Sequence, residues 1–338
     1  MKNKILILLM SVTVLLFQAC KKDRTTVYVT TPSNPITPVV IPPSSFTTLK
    51  AFMNTLRPQI QAFSFDNSVG GTVRGDKGMT FTFAASSFRN ASNVPVVGVV
   101  KINLIEVNRY AEMLGTGAFT EATNGLLSSA AMFNITASQN GQTVYLVKPV
   151  QTSIPVNLDA DLTNIKKFTG IINVSANNDT IVKWASDTTF FFNLDSTSSV
   201  YDSLKKVYED KRIIKFTIKT LGWCNLDAYV NNANGNQVVA SFTGINNILN
   251  AQVYMKIDND GLKGLIPLFY DATKDEFNSS YYKLPPTWTI HLITLVKDKD
   301  KRVYIEDKKV VNAGVTTNFS KLKEISDADL ETFFNSLN

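Results

Sequence analysis

His291 is the one histidine in the chain. A multi-histidine zinc site needs more than that, and a Ser-His-Asp relay would have to be built on His291 itself; any other chemistry would fall to carboxylates, hydroxyls, aromatics or thiols. Asp271, Asp275 and Glu276 lie together in "YDATKDEF", where two carboxylates flanking a sugar would make a glycosidase. Acidic residues are equally ordinary in a surface loop, and nothing in the sequence brackets a sugar between these. "KIDNDGLKG" offers Asp258, Asp260 and Gly261 to calcium. An EF-hand loop aligned on that glycine requires acids where Lys256 and Pro267 stand, so a tight turn between two strands is the reading, and no metal site is expected.

Two further groups have binding rather than catalytic chemistry. In "GWCNLDAY", Trp223 and Cys224 alternate across a strand, while Asn225 and Asp227 can satisfy a buried turn or meet a ligand. The structural role is favoured, with Trp223 packing the core and Asn225 and Asp227 bonding backbone. Cys224, with no His or Lys beside it, reads as an inert apolar group. In "NSSYYKLPPTW", Tyr281, Tyr282 and Trp288 could stack on sugar rings or flank the entry to a core strand. They are the candidate ligand-binding residues; no catalytic residue is assigned and no cofactor is expected.

The elements that must position these groups begin after an export signal. Lys2 and Lys4 precede an apolar run from Ile5 to Phe17, shorter than the roughly 20 residues of a membrane span. Ala19 then precedes Cys20 and Lys21-Lys22-Asp23-Arg24. A small residue before cysteine is what lipoprotein signal peptidase cuts, so residues 1–19 are expected to leave and Cys20 to carry the acyl chains. Each buried methylene contributes about 0.8 kcal/mol, and two or three chains anchor durably. The lipid bilayer is thus the first expected partner. Residues 20–45 are the lipidated cysteine and a tether, whose Pro-, Ser- and Thr-rich stretch from Thr25 to Ser45 reads "TTVYVTTPSNPITPVVIPPSS".

Composition limits the rest. Cys20 and Cys224 are the two cysteines, so with Cys20 acylated no internal disulfide forms. The chain is 44% hydrophobic and 18% charged, enough for a large core. Net charge is +6, and loss of Lys2 and Lys4 leaves +4, too little to argue for nucleic acid.

Past the tether, Leu49, Phe52, Met53 and Leu56 keep helical spacing behind Thr47-Thr48. The period then becomes two. Met79, Phe81 and Phe83 alternate with Thr80 and Thr82 after the Gly75-Asp76-Lys77-Gly78 turn, and Asn140-Gly141 joins two further alternating runs as a hairpin. Residues 46–165 are read as one antiparallel sandwich. Residues 166–212 are read as a connecting segment with a helix over Ser199–Lys211, on the spacing of Val200, Leu204 and Tyr208. Residues 213–338 are read as a second β-rich domain, closed by a helix behind Ser326. The fold class is mainly β, with two antiparallel sandwich-like domains and few short helices.

The order Gly75, Lys77-Gly78, "FTFAASSF", "VVGVVKINLIEV", Glu112-Met113-Leu114, "GLLSSAAMFNITA" and "NGQTVYL" resembles the first domain of envelope lipoproteins from the Bacteroides and Flavobacterium lineage. That domain is similar to the ZU-five-type β-sandwich of ankyrins and netrin receptors. Phe168-Thr169-Gly170, Trp184 and "LGWCNLDAYV" resemble the same family's second block, a Gly-Trp-x-Asn-x-Asp segment. Ala84-Ala85 depart from it where a proline turn is usual, and Ala130-Ala131 where glycines are.

The resemblance implies a fold and a lipid-anchored place at the outer membrane, but no activity. Surface export in this lineage often follows an acidic run after the cysteine; the basic run here tilts the expectation to the periplasmic face. Self-cleaving relatives of such sandwiches place histidine two residues before a Ser or Thr. Here His291 and Thr294 are one residue too far apart and on opposite strand faces. The expected function is a non-enzymatic binding or scaffolding module for an envelope protein or glycan, with glycan hydrolysis as the alternative and self-cleavage behind it.

Overall fold

Met79, Phe81 and Phe83 are all buried while Thr82 between them is exposed, and this alternation repeats through most of the chain. The computed structural model describes residues 41–174, 180–187, 190–202, 206–230, 235–243, 251–259, 261–280, 282–311, 314 and 316–337. Cys20 with its basic run, Asp260 and Tyr281 lie outside the described residues. The described protein is mainly β, with several antiparallel sheets and three short helices.

The Gly125–Gln139 strand organises the largest sheet. One end pairs with Val99–Val107 (Leu104 opposite Ile135) and the middle with Gly222–Val230 (Cys224 opposite Phe133). Lys263 of the Leu262–Pro267 strand meets it at Ser129, and beyond that strand lie Ala251–Asn259, Thr289–Lys297 and Val303–Val311. Strands from both 46–165 and 213–338 therefore belong to one sheet.

Part of this sheet closes on itself. Gly222–Val230 pairs with Lys166–Val174, which pairs with Thr180–Asp187. That strand meets Glu121–Ala122 in parallel, Trp184 opposite Ala122, and Glu121–Ala122 returns to Gly125–Gln139. Phe168, Val182, Trp184 and Trp223 are buried together, the two indoles edge to face at 6.3 Å. A β-carbon on Gly170 would sit 2.4 Å from Trp223 Cβ, so only glycine fits beneath the tryptophans.

A second, five-stranded sheet runs in the order Asn193–Asp202, Val207–Ile218, Val150–Val156, Thr80–Phe83, Gly71–Arg74. It packs on the first sheet through one apolar cluster, in which the rings of Phe81 and Phe133 meet edge to face at 5.0 Å. Full burial of such a side chain contributes about 1.5–3 kcal/mol.

The helix expected over Ser199–Lys211 is instead a β-hairpin, with Tyr201 directly opposite Tyr208. Val200 is buried, but Tyr201, Val207 and Tyr208 are exposed. Val200 and Tyr208 thus lie on opposite faces of the hairpin, and Leu204, the third residue of that spacing, lies outside the described residues. The Val207–Ile218 strand completes its hydrogen bonding against Val150–Val156, and β-branched and aromatic residues suit that half-buried surface.

The helices follow their caps. Thr48 Oγ1 accepts from Ala51 N at 3.0 Å in front of Leu49–Thr55, and Ser326 Oγ from Asp329 N at 3.1 Å in front of Asp327–Ser336. Tyr110–Thr116 ends at Gly117 in the left-handed region. Phe52 of the first helix and Phe334 of the last pack with ring centroids 6.1 Å apart. The last residues of the expected tether are pinned beside them. Ser45 donates through N and Oγ to Asp327 Oδ2 at 2.8 and 2.7 Å, and Ser44 N donates to Lys301 O.

Candidate functional site

Strand alternation places Glu106 on the same inward face as Val100, Ile102 and Leu104, and it is 1% exposed. Its carboxylate is enclosed by the Gly75–Gly78 loop. Oε1 accepts from Met79 N at 3.0 Å, and Oε2 accepts from Lys77 N at 2.9 Å and Gln61 Nε2 at 3.0 Å. Lys77 Nζ then crosses to donate to Glu106 O at 3.1 Å and to pair with Glu112, whose Oε2 also accepts from Asn108 N at 3.0 Å. Burial pushes Glu106 above the usual carboxylate range, against the bonds from Gln61 and the loop. Burial also pulls Lys77 below the usual lysine range, with Glu112 opposing. Sequence reasoning saw Gly75 and Lys77 as turn residues and passed over Glu106. The available signal was an acid at an inward position of an apolar strand.

This network forms one wall of a cleft of about 390 Å³. Arg109, Lys211 and Lys263 reach it from a loop, a hairpin and a strand, and Asp202 and Glu209 lie among them. Lys211 Nζ pairs with Glu209 at 2.7 Å and donates to Asn157 Oδ1 at 2.7 Å. Lys263 Nζ approaches Asn108 O at 3.4 Å and lies 5.5 Å from the centre of the Tyr110 ring. Arg109 Nη2 stands 3.6 Å from Asp202 Oδ1. Met79, Met113, Val156 and Val200 supply apolar surface to the same cleft.

Ser129 also faces the cleft, at the bulge where Leu226 and Asp227 oppose Ala131 and Ser129. Its hydroxyl donates to Asn225 Oδ1 at 2.7 Å, and Asn225 Nδ2 donates to Asp227 Oδ2 at 2.5 Å. Asn225 and Asp227 are wholly buried. Burial drives Asp227 well above its usual range, although Ser129 and Asn225 pull it down. Here the Asn-x-Asp pair of "GWCNLDAY" serves a buried polar chain, while Trp223 packs beside Trp184.

The other candidates are dispersed. Tyr282 is half-buried on the C-terminal apolar cluster and donates from its hydroxyl to Ala122 O at 3.0 Å; Trp288 packs on that same cluster. Neither lines the cleft. His291 Nδ1 lies 3.1 Å from Asp307 Oδ1, whereas Thr294 is buried and donates to Gln252 O. Asp271 accepts from Thr273 N and Oγ1, Asp275 accepts from Tyr270, and Lys274 lies 3.7 Å from both Asp271 and Glu276. Those contacts make a closed hairpin tip. Asp258 lies 3.7 Å from Lys256. Among the described residues no group of three or more His, Cys, Asp or Glu is placed to hold a metal ion.

No family model matches the chain, and no curated protein matches it.

Proposed function

We propose that the chain is an envelope lipoprotein, held at the outer membrane through acylated Cys20, whose β-rich body binds a partner without turning it over. The observation that carries the binding part is the cleft. Cations from four separate segments, Lys77, Arg109, Lys211 and Lys263, converge there beside apolar side chains, and its two serines are committed, Ser129 to Asn225 and Ser336 to Phe333 O. Such a surface holds a ligand; general acid–base work would need a donor and an acceptor poised at one point. The anchoring part rests on the run Ala19-Cys20-Lys21-Lys22 and on the resemblance to envelope lipoproteins. The partner class is a glycan or an envelope protein, and the basic run after Cys20 favours the periplasmic face.

Palmitate labelling tests the anchor. The wild-type chain should incorporate label and lose its first 19 residues, and Cys20→Ala should do neither; a labelled, processed Cys20→Ala protein would remove the lipoprotein reading. Crosslinking in cells, followed by mass spectrometry, should recover a reproducible envelope partner. A polysaccharide panel that shows turnover abolished by Asp271→Asn or Glu276→Gln would replace binding with hydrolysis.

A further inference from the structure

Among the described residues that line the cleft, Arg109 is the least satisfied charged group. Its side chain is 16% exposed, and its nearest carboxylate oxygen, on Asp202, is 3.6 Å away. A charge-assisted bond from a guanidinium spans about 2.7–2.9 Å, so this is an ion pair without a hydrogen bond. No hydrogen bond from the Arg109 side chain is made to any other described residue. Arginine cannot shed its charge to relieve the deficit. A largely buried fork of donors, held short of a carboxylate and open to a cavity, is an anion receptor.

The surroundings narrow the class of anion. Lys263 and Lys211 face the same space, and Lys211 is tied down by Glu209 and Asn157. The positive charge is therefore distributed among acids. That suits a single anionic group better than a polyanion, which would meet Asp202 and Glu209 as well as the cations. Asn108 and Asn157 add amide and carbonyl groups to the wall, the chemistry that reads hydroxyls. A cleft of about 390 Å³ lies at the small end of ligand sites, which run from about 300 to 1,000 Å³.

We propose that the cleft binds an acidic sugar unit, its carboxylate or phosphate taking both edges of the Arg109 guanidinium in the place Asp202 only approaches, with Lys263 beside it and the hydroxyls on Asn108 and Asn157. This rests on the binding reading above and names the ligand class for the same site. Asp202, at the end of the Asn193–Asp202 strand, acts as the stand-in acid that the ligand displaces.

Calorimetric titration of the purified full-length protein, at constant ionic strength, tests this with glucuronate, glucose 6-phosphate, glucose and N-acetylglutamate. At least one of the two acidic sugars should bind with a dissociation constant of about 1 mM or tighter, and glucose should not. Which of them binds more tightly distinguishes carboxylate from phosphate. Arg109→Gln should weaken binding at least tenfold with the melting temperature unchanged, and Lys148→Gln, outside the cleft, should not affect it. Should Arg109→Gln fail to fold, Lys263→Gln should weaken binding at least threefold. Absence of binding by both acidic sugars, equal binding of glucose, tighter binding of N-acetylglutamate, or full affinity in the cleft variants would overturn the proposal. None of these outcomes alters palmitate labelling or in-cell crosslinking, so the wider reading stands or falls separately.

Discussion

Gly75 stands so close to Glu106 that a β-carbon at position 75 would lie 2.4 Å from the Glu106 carboxyl carbon. The loop can wrap the carboxylate only because residue 75 has no side chain. Gly75→Ala should therefore push the loop off its acid and cost about 1–3 kcal/mol, the range for overpacking a closed site. Urea denaturation checks this as a lower midpoint with an unchanged slope. An unaltered midpoint would mean that the loop is not held by Glu106.

Asp227 gives a pH prediction. Burial raises its folded pKa well above the usual carboxylate range, so the folded state binds a proton that the unfolded state releases at about 3.9. The stability this contributes is complete below the unfolded pKa and is lost as pH rises through the folded one. Asp227→Asn keeps an acceptor for Asn225 and has nothing to ionise. Relative to wild type it should gain stability as pH rises from the unfolded pKa toward the folded one, by at most about 1.4 kcal/mol per pH unit. Parallel curves for the two proteins would contradict it.

Cys224 is buried, and burial lifts its thiol pKa to about 12. At pH 8 almost no thiolate forms, and what forms is covered. In a Cys20→Ala background, Ellman's reagent should leave the native protein unlabelled over hours and titrate one thiol promptly in guanidinium. Fast native labelling would show that the Gly222–Val230 strand opens readily.

Trp184 closes the ring of strands in two ways, and they can be separated. Its indole packs on Trp223 and its Nε1 donates to Phe119 O at 2.6 Å. Trp184→Phe keeps much of the volume but abandons that carbonyl, which should cost about 1–3 kcal/mol. Trp184→Ala empties the site and should cost about 3–5 kcal/mol. Equal losses would mean that the hydrogen bond, not the packing, dominates.

What could be read from the sequence depended on whether the signal was local. Thr48 and Ser326 as helix caps, Asn140-Gly141 as a turn with both residues at positive φ, and the inward run Met79-Phe81-Phe83 are all properties of neighbours in sequence. The hairpin around Tyr201 and Tyr208 was misread because its outer strand borders solvent, so its side chains carry no alternation to betray it. The cleft was invisible for a different reason. Lys77, Arg109, Lys211 and Lys263 are ordinary surface-type residues until sheet register brings them together, and nothing short-range encodes that register. Glu106 was the one partial clue, an acid where the pleat points inward.

The Gly125–Gln139 strand takes partners from both directions along the chain, Val99–Val107 before it and Gly222–Val230 and Leu262–Pro267 well after it. High contact order of this kind makes assembly slow. On a ribosome the strand would emerge long before the residues that cover its second side, with an unpaired edge open to association. We expect its amides to gain protection in the last refolding phase of a pulsed hydrogen-exchange experiment, and early protection would refute that. A chain built this way folds most safely when every partner strand is already present as folding begins, so a factor that holds it unfolded until synthesis ends should raise its folding yield.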